Sequence, residues 1–238
     1  MAGVSDDGRY LLIHSTPGAQ ETALSLVDLS DPDWTVRPVA ATPGAQWLAF
    51  GNEGSRLFAI TNDGAPRRKI VTIDFAATRP EPVDLVGEDR AILAGAWLLG
   101  GRLLTSYLVD ARTEIRRHAR DGGVEGLVEL PGIGSAGLRG RQDSDEAFLV
   151  FTSFNAPTTI YRYDVARDSR TVWARPVPGT DLDRIVVEPR FYASRDGTRV
   201  PMFVVRRRDV RGPAPTILYG YGGFGISMPP YYSPERLA

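Results

Sequence analysis

The stretch AFLVFTSFNAPTTIYRYDV, residues 147–165, decides the fold. It contains two short apolar runs, AFLVFTSF and TTIYRYDV, and a turn-forming cluster, DSDE, stands directly before them. β-Branched and aromatic residues between turn clusters are typical of β-strands. Similar pairs of runs occur earlier in the chain, namely YLLIHS with TALSLVDL, RLFAITN with RRKIVTIDF, and RLLTSYLV with RTEIRRHA. The pattern therefore predicts strands almost throughout.

These pairs return at a regular interval. Aligned second runs place Asp28, Asp74, His118 and Asp164 at equivalent positions, 46, 44 and 46 residues apart. The first runs agree, with Tyr10, Leu57, Leu103 and Phe148 spaced 47, 46 and 45 residues apart. A period in the mid-forties with several short strands per unit is typical of β-propeller blades. Helical periodicity is missing, so the prediction is a mainly β protein with about four blades in residues 1–178.

The first repeat looks shortened. VSDDGRYLLI opens on a turn and a middle strand, and we expect no room for an earlier strand of that blade. A chain that begins inside a larger ring leaves unpaired strand edges, which proteins normally avoid. We therefore expect an incomplete ring and poor behaviour of the chain in isolation.

The repeat ends near Arg175, and the text changes character. RPVPGTDLDR, residues 175–184, has the composition of a Pro/Gly linker, and we place the linker between the two domains at residues 179–185. In residues 186–238, PRFYASRDGTRVPMFVVRRR predicts a hairpin that turns at Asp196-Gly197. APTILYGYGGFG then predicts a buried strand that runs into a glycine loop. This segment is expected to belong to a second domain that is too short to be complete.

Composition excludes several functions. The 238 residues include no cysteine, so disulfides and thiolate metal sites are impossible, and no metal-ligand spacing is recognisable. Net charge is −1, and no apolar run approaches 18 residues, which argues against nucleic acid and membrane as partners. The basic run RRRD, residues 206–209, is best interpreted as a solvated strand end. No cofactor is expected, and a cytoplasmic location fits this composition.

The glycine loop admits more than one interpretation. Gly220, Gly222 and Gly225 satisfy the dinucleotide-binding pattern G-x-G-x-x-G after a strand. That pattern needs a helix that opens at the glycines, and Pro229 and Pro230 forbid an immediate one. The nucleotide interpretation is therefore rejected.

Two interpretations of the loop stay open. It resembles the glycine-rich oxyanion loop that follows the third strand of α/β-hydrolases, where a tyrosine hydroxyl can supply one donor. Alternatively, it is a tight strand exit that packs Tyr219, Tyr221 and Phe224 into a core.

No catalytic triad can be assembled from the sequence. The nucleophile pattern G-x-S-x-G is absent, and its nearest match, GIGSAG around Ser135, has Ile133 in place of the first glycine. His14 and His118 are the two histidines, and both are interpreted as polar residues at strand ends rather than as bases.

Four stretches resemble prolyl oligopeptidases, the prolyl endopeptidase family of serine peptidases. DGTRVPMFVVRRRDV and PAPTILYGYGGFGISMPPYYSPERLA resemble the start of that family's catalytic domain. VFTSFNAPTTIYRYDV resembles its last propeller blade, and SDDGRYLLI an earlier one. The resemblance covers essentially the whole chain, and GGF after YGY favours the prolyl branch over the related oligopeptidase B.

The resemblance implies a cytosolic peptidase that cuts short peptides after proline, with a seven-bladed propeller covering an α/β-hydrolase active site. By position, Tyr221 matches the family's oxyanion tyrosine and Phe224 a wall of its proline pocket. Tyr219 is assigned to core packing. The family's serine, aspartate and histidine have no counterpart in these residues, so we expect an internal fragment that is inactive alone. The alternatives are a non-catalytic propeller binding module and a truncated gene remnant.

Overall fold

Four sheets of four strands each account for most of the protein. The computed structural model describes residues 1–16, 18, 21–179 and 181–237. In every sheet, strands that are neighbours in sequence are hydrogen-bonded neighbours in the sheet. The first two sheets are antiparallel throughout. Four such sheets in succession are a run of propeller blades, which confirms the mainly β, partial-propeller prediction.

The strand bounds follow the predicted runs. The first sheet consists of β1 (Ala2–Val4), β2 (Tyr10–Ser15), β3 (Ala23–Asp28) and β4 (Arg37–Ala40). The second consists of β5 (Trp47–Glu53), β6 (Arg56–Thr61), β7 (Lys69–Asp74) and β8 (Pro82–Val86). The third consists of β9 (Ile92–Leu99), β10 (Arg102–Val109), β11 (Arg112–His118) and β12 (Val124–Val128). The fourth consists of β13 (Ser135–Gly140), β14 (Glu146–Ser153), β15 (Ala156–Asp164) and β16 (Ser169–Ala174).

Burial explains why these runs form strands. Along β14, alternate residues from Ala147 to Ser153 are buried while those between them are half-buried, which is the two-residue period of a strand. In the first two sheets, the buried positions meet in one cluster around Leu26, Leu57 and Ile73, each fully buried. Removing this apolar area from water is the main stabilising contribution to the sheets.

The repeat alignment is confirmed by the structure. Asp28, Asp74, His118 and Asp164 are each the last residue of the third strand of their sheet. The carboxylates accept backbone N–H groups of the turn that follows, from Ser30 at 3.0 Å, Ala76 at 3.0 Å and Arg167 at 2.8 Å. A short acceptor at this position satisfies turn amides that have no ladder partner.

The shortened first repeat was a wrong prediction. β1 pairs antiparallel with β2, with Ala2 opposite Ile13 and Val4 opposite Leu11. Its three residues, AGV, are all exposed and carry no alternating pattern, so nothing in the sequence marked them as a strand. The first strand of this sheet is therefore present, although it is only three residues long.

The predicted hairpin is confirmed. β17 (Ile185–Ala193) and β18 (Arg199–Arg207) pair over their whole length, preceded by a 3₁₀ helix at Leu182–Arg184. The turn contains Asp196-Gly197, and its carboxylate accepts the Thr198 N–H at 2.9 Å. A second 3₁₀ helix covers Pro234–Arg236.

The buried strand predicted after the hairpin is not formed. Among the described residues no strand is assigned after Arg207, and Ile217 and Leu218 are 93% and 95% exposed. Tyr219 is 61% exposed, so its assignment to core packing was also wrong. A strand of a parallel sheet needs neighbours for its backbone groups and layers over both faces, and the described residues place neither beside this segment. An apolar run alone does not make a strand.

The chain divides into two compact units. One comprises Met1–Tyr107, Ile115–Leu127 and Gly140–Glu146, and the other comprises Leu108–Glu114, Val128–Arg139 and the residues from Ala147 onward. The second unit therefore holds the hairpin together with most of the fourth sheet. The predicted domain limits at residues 178 and 186 stay a prediction. Within the described ranges, no helix is long and apolar enough to cross a bilayer.

Candidate functional site

The glycine-rich loop is fixed at its exit by the fourth sheet. The Ser135 hydroxyl, at the start of β13, donates to the Pro230 carbonyl oxygen at 2.6 Å. The Thr152 hydroxyl, in β14, accepts the Tyr232 N–H at 3.1 Å. Pro230 is itself buried. These contacts belong to one compact unit and hold the chain in place directly after the loop.

A tight turn forms the tip of the loop. The Ile226 N–H donates to the Gly223 carbonyl oxygen at 3.0 Å, which closes a four-residue turn. Its central residues, Phe224 and Gly225, have φ angles of 54° and 64°. Two positive φ values are those of a type I′ turn, which glycine and asparagine favour. A phenylalanine there costs about 1–2 kcal/mol of backbone strain.

The Phe224 ring is exposed at the strained turn. The Phe224 side chain is 94% exposed, and the centroid of its ring lies 6.5 Å from that of the half-exposed Tyr221. The structure therefore brings together the two residues that the sequence assigned to a site. Strained backbone conformations persist only where the surrounding structure enforces them, and they are common at active sites and ligand-binding sites.

A third aromatic residue of the loop makes a contact that the sequence did not indicate. The guanidinium carbon of Arg236 lies 4.5 Å from the centroid of the Tyr219 ring and 4.7 Å from that of the Tyr231 ring. Arg236 belongs to the 3₁₀ helix Pro234–Arg236. In the sequence, the one signal for this contact is the pair of tyrosines on either side of the glycine run. Nothing in the run itself points to Arg236, which lies outside it.

The structure agrees with the rejection of a nucleotide site and with structural roles for Ser135 and the 206–209 run. After Gly220, Gly222 and Gly225, the described residues form no helix before Pro234, so no helix N-terminus faces the glycines. Ser135 uses its hydroxyl to anchor the loop exit. The arginines of the 206–209 run are hydrogen-bonded, Arg206 to Glu188 at 2.5 Å and Arg207 to Asp209 at 2.6 Å.

Both histidines are structural residues near strand ends. The His118 ring is 2% exposed, with Nε2 2.7 Å from the Thr105 hydroxyl and Nδ1 2.9 Å from the Gly122 carbonyl oxygen. Nε2 of His14 accepts the Ala49 N–H at 3.0 Å. Burial lowers the pKa of both rings, because a charged imidazolium is poorly solvated in these positions.

Within the described residues, no group of three or more His, Asp or Glu side chains is placed to hold a metal ion.

Comparison with known proteins identifies the family. The family described as "Prolyl oligopeptidase, N-terminal beta-propeller domain" matches residues 1–176. The chain belongs to the prolyl oligopeptidase family. The match covers all four sheets of this prolyl oligopeptidase chain and ends two residues after β16.

Curated relatives extend the similarity beyond the propeller. A dual-function macrocyclase-peptidase of Amanita bisporigera is 32% identical over 246 residues, covering 98% of this chain and 34% of the relative. A prolyl endopeptidase of Elizabethkingia meningoseptica is 28% identical over 239 residues, covering 98% of this chain and 33% of the relative. This prolyl oligopeptidase chain therefore spans about a third of the length of these relatives.

Solved structures agree with the sequence relatives. A structure from a study of two prolyl endopeptidases and their inter-domain dynamics matches with a TM-score of 0.82 and 37% identity, over 99% of this chain and 35% of that one. Prolyl oligopeptidase B from Galerina marginata, bound to a 35-residue hydrolysis and macrocyclization substrate, matches with a TM-score of 0.88 and 30% identity. This match covers 98% of this chain and 34% of that chain.

Proposed function

We propose that this chain provides the propeller blades and the oxyanion loop of a serine peptidase that cleaves short peptides after proline. The residues from 186 onward are proposed to begin its α/β-hydrolase domain. The observation that carries the proposal is the pairing of Tyr221 with Phe224 on a strained turn, in a chain of the prolyl oligopeptidase family. Relatives named as prolyl endopeptidases support the same reaction class.

In this proposal, Tyr221 stabilises negative charge. Attack on a peptide carbonyl moves charge onto its oxygen, and a donor placed beforehand at that point lowers the barrier. The Tyr221 phenol carries an O–H group that can donate a hydrogen bond to such an oxygen. Its side chain is half exposed.

Phe224 is proposed to contact the substrate proline. A proline ring is apolar and rigid, and a flat aromatic face buries it with little loss of conformational entropy. Phe224 has a positive φ and stands at the tip of the turn, where its side chain is 94% exposed. We infer that the strain is retained because it presents this ring.

The 238 residues alone are proposed to be inactive. Acyl transfer needs a nucleophile, a base and an orienting acid, and these residues contain no nucleophile motif. Both histidines are engaged in the sheets, and Ser135 anchors the loop. An oxyanion donor without a nucleophile forms no acyl-enzyme.

The test compares the purified 238-residue chain with the native gene product isolated from its source cells. Both are treated with a fluorophosphonate probe and with fluorogenic peptides that carry proline or alanine before the reporter group. We expect the native product to label and to cleave the proline peptide, and the 238-residue chain to do neither. Labelling of the 238-residue chain would refute its inactivity. A native product that neither labels nor cleaves would favour the binding module over the peptidase.

Variants of the active product test the role of Tyr221. Tyr221→Phe should lower kcat on the order of 100-fold with little change in KM, because the donor acts only on the developing charge. Tyr219→Phe is the matched control, since it removes a hydroxyl two residues away and keeps the ring. Equal effects of the two substitutions would contradict the assigned role.

A further inference from the structure

One side chain joins the two ends of the glycine loop. The Arg236 guanidinium lies over the rings of both Tyr219 and Tyr231, with its carbon 4.5 Å and 4.7 Å from their centroids. Both distances are within the roughly 6 Å over which a cation is attracted to an aromatic face. Tyr219 stands directly before the first loop glycine and Tyr231 directly after Pro230. The contact therefore connects the residues on either side of the loop, which comprises residues 220–230.

The Tyr231 end of the loop is held by hydrogen bonds. Tyr232, next to Tyr231, is hydrogen-bonded to Thr152 in β14. The 3₁₀ helix that carries Arg236 is closed by the Leu237 N–H, which donates to the Pro234 carbonyl oxygen at 3.0 Å. Ser233 adds a hydrogen bond from its hydroxyl to the Glu235 carboxylate at 2.7 Å. Arg236 thus extends from a short element that begins two residues after the hydrogen bond between Tyr232 and the fourth sheet.

The entry side is different. Tyr219 lies in a segment without strand pairing, and its neighbours Ile217 and Leu218 are almost fully exposed. Through Arg236, Tyr219 is connected to the anchored exit. A guanidinium suits this position because it is planar and stacks on an aromatic face, whereas an ammonium is a compact and strongly hydrated charge.

We propose that Arg236 is a positioning residue that clamps Tyr219 to Tyr231 and thereby fixes the orientation of Tyr221. The inference rests on the proposed role of Tyr221 as oxyanion donor. Tyr221 is two residues from Tyr219, so a shift of the Tyr219 backbone changes where the Tyr221 hydroxyl points. Stabilisation of an oxyanion requires its donors within about 0.5 Å of the productive position. A loop rich in glycine needs an external constraint to reach that precision.

The first experiment measures the loop itself in the native product, because the isolated 238-residue chain is expected to behave poorly. Hydrogen exchange of the Ile226 and Tyr232 amides is followed by NMR in Arg236→Met, in Arg236→Lys and in the control Arg211→Met, which removes an exposed arginine of the same segment. Loss of two exposed cation–π contacts should speed exchange roughly 5- to 30-fold in Arg236→Met. Lysine should recover part of the protection, and the control should match the parent chain. Equal exchange in Arg236→Met and in the control would overturn the clamp.

A spectroscopic signature separates stacking from a general structural role. Protons of the Arg236 side chain should resonate upfield because they lie over two aromatic rings, and Tyr219→Leu should remove part of that shift. The Tyr221 ring resonances should change in Arg236→Met and be largely restored in Arg236→Lys. Arg236 resonances at random-coil positions in the parent chain would refute the stacked geometry.

The second experiment uses the native product that reacts with the fluorophosphonate. Arg236→Met should lower kcat per titrated active site about tenfold with KM within twofold of the parent, and Arg236→Lys should recover part of the loss. A role in folding alone would lower the number of titrated sites and leave kcat per site unchanged. If Tyr221→Phe has no effect on kcat, the proposed function fails, and the exchange and NMR results still decide the clamp. If Tyr221→Phe acts and Arg236→Met does not, the clamp is wrong.

Discussion

The four sheets and the segment after Arg207 use the same kinds of residue in opposite ways. In the sheets, aliphatic side chains such as Leu57 and Ile73 are fully buried against neighbouring strands. After the hairpin, Ile217 and Leu218 are more than nine-tenths exposed, although their sequence is equally strand-like. The difference shows that local propensity becomes structure only where the described chain also supplies partners for the backbone and both faces.

The two regions also differ in the role of their glycines. The largest loss of folding stability that we predict comes from replacing a glycine in the sheets. Gly122, in the turn between β11 and β12, has a φ of +89°, and a Cβ there would overlap the Leu85 carbonyl group of β8. Gly222, in the loop, has a φ of +69° with open space around it. Gly122→Ala should therefore cost about 2–4 kcal/mol, from left-handed strain and overlap together. Gly222→Ala carries only the strain, in a segment outside the sheets.

Urea unfolding, followed by tryptophan fluorescence to which the buried Trp47 contributes, measures this difference. Gly122→Ala should lower the midpoint clearly, while Gly222→Ala should leave it unchanged. Gly126→Ala is the control within the same sheet, because a Cβ at Gly126 meets no neighbouring atom within 4 Å. A larger loss from Gly222→Ala than from Gly122→Ala would reverse the comparison.

A smaller effect is expected from pH, and it concerns the sheets alone because both histidines lie there. Burial lowers the pKa of His14 and His118 below the value near 6.5 of the unfolded chain. The folded state then binds fewer protons than the unfolded chain. The contribution of the two histidines to the free energy of unfolding is therefore constant above about pH 7, and it falls as the pH drops through 6.5 toward the folded pKa. A difference of one in pKa between the folded and unfolded states corresponds to about 1.4 kcal/mol in the free energy of unfolding.

Unfolding midpoints between pH 7.5 and pH 5 test the histidine effect. The double variant His14→Gln/His118→Gln should flatten the dependence in this window, since glutamine keeps polar groups without a titration. Carboxylates such as Asp28, whose pKa is held low by hydrogen bonds from Arg9 and Ser30, act only at more acidic pH. An unchanged slope in the double variant would show that other groups carry the pH dependence.

The sequence predicts the sheets well because three signals coincide. Apolar runs, turn clusters and a polar residue at the end of each third strand, Asp in three repeats and His118 in the other, recur with nearly one period, and each repeat tests the others. β1 escaped prediction because three exposed residues have no pattern. The strand after the hairpin was predicted from its composition alone, and strand formation also depends on neighbours that composition does not reveal.

The candidate site could be predicted only in part. Tyr221 and Phe224 were assigned from a resemblance to a family, and the structure places their rings together. The type I′ turn had no signal, because phenylalanine is an unusual residue at its first central position. Arg236 was missed for a different reason. Its contacts reach back 17 residues to Tyr219, and stacking between an arginine and two tyrosines follows no sequence period.

The smallest predicted effect asks whether the strain at the turn serves the ring. Phe224→Asn replaces a residue that disfavours a φ of 54° with one that tolerates it, and little burial is lost because the phenylalanine is 94% exposed. The turn should become more stable by about 1 kcal/mol, so exchange of the Ile226 amide should slow roughly fivefold while the urea midpoint stays the same. Phe224→Leu is the control, since it keeps the strain and loses only the aromatic ring. Slower exchange together with a higher KM for proline peptides in Phe224→Asn would mean that the turn is held in a costly conformation for the sake of substrate contact. Faster exchange would mean instead that contact between the Phe224 and Tyr221 rings stabilises the turn, and the strain argument would then be wrong.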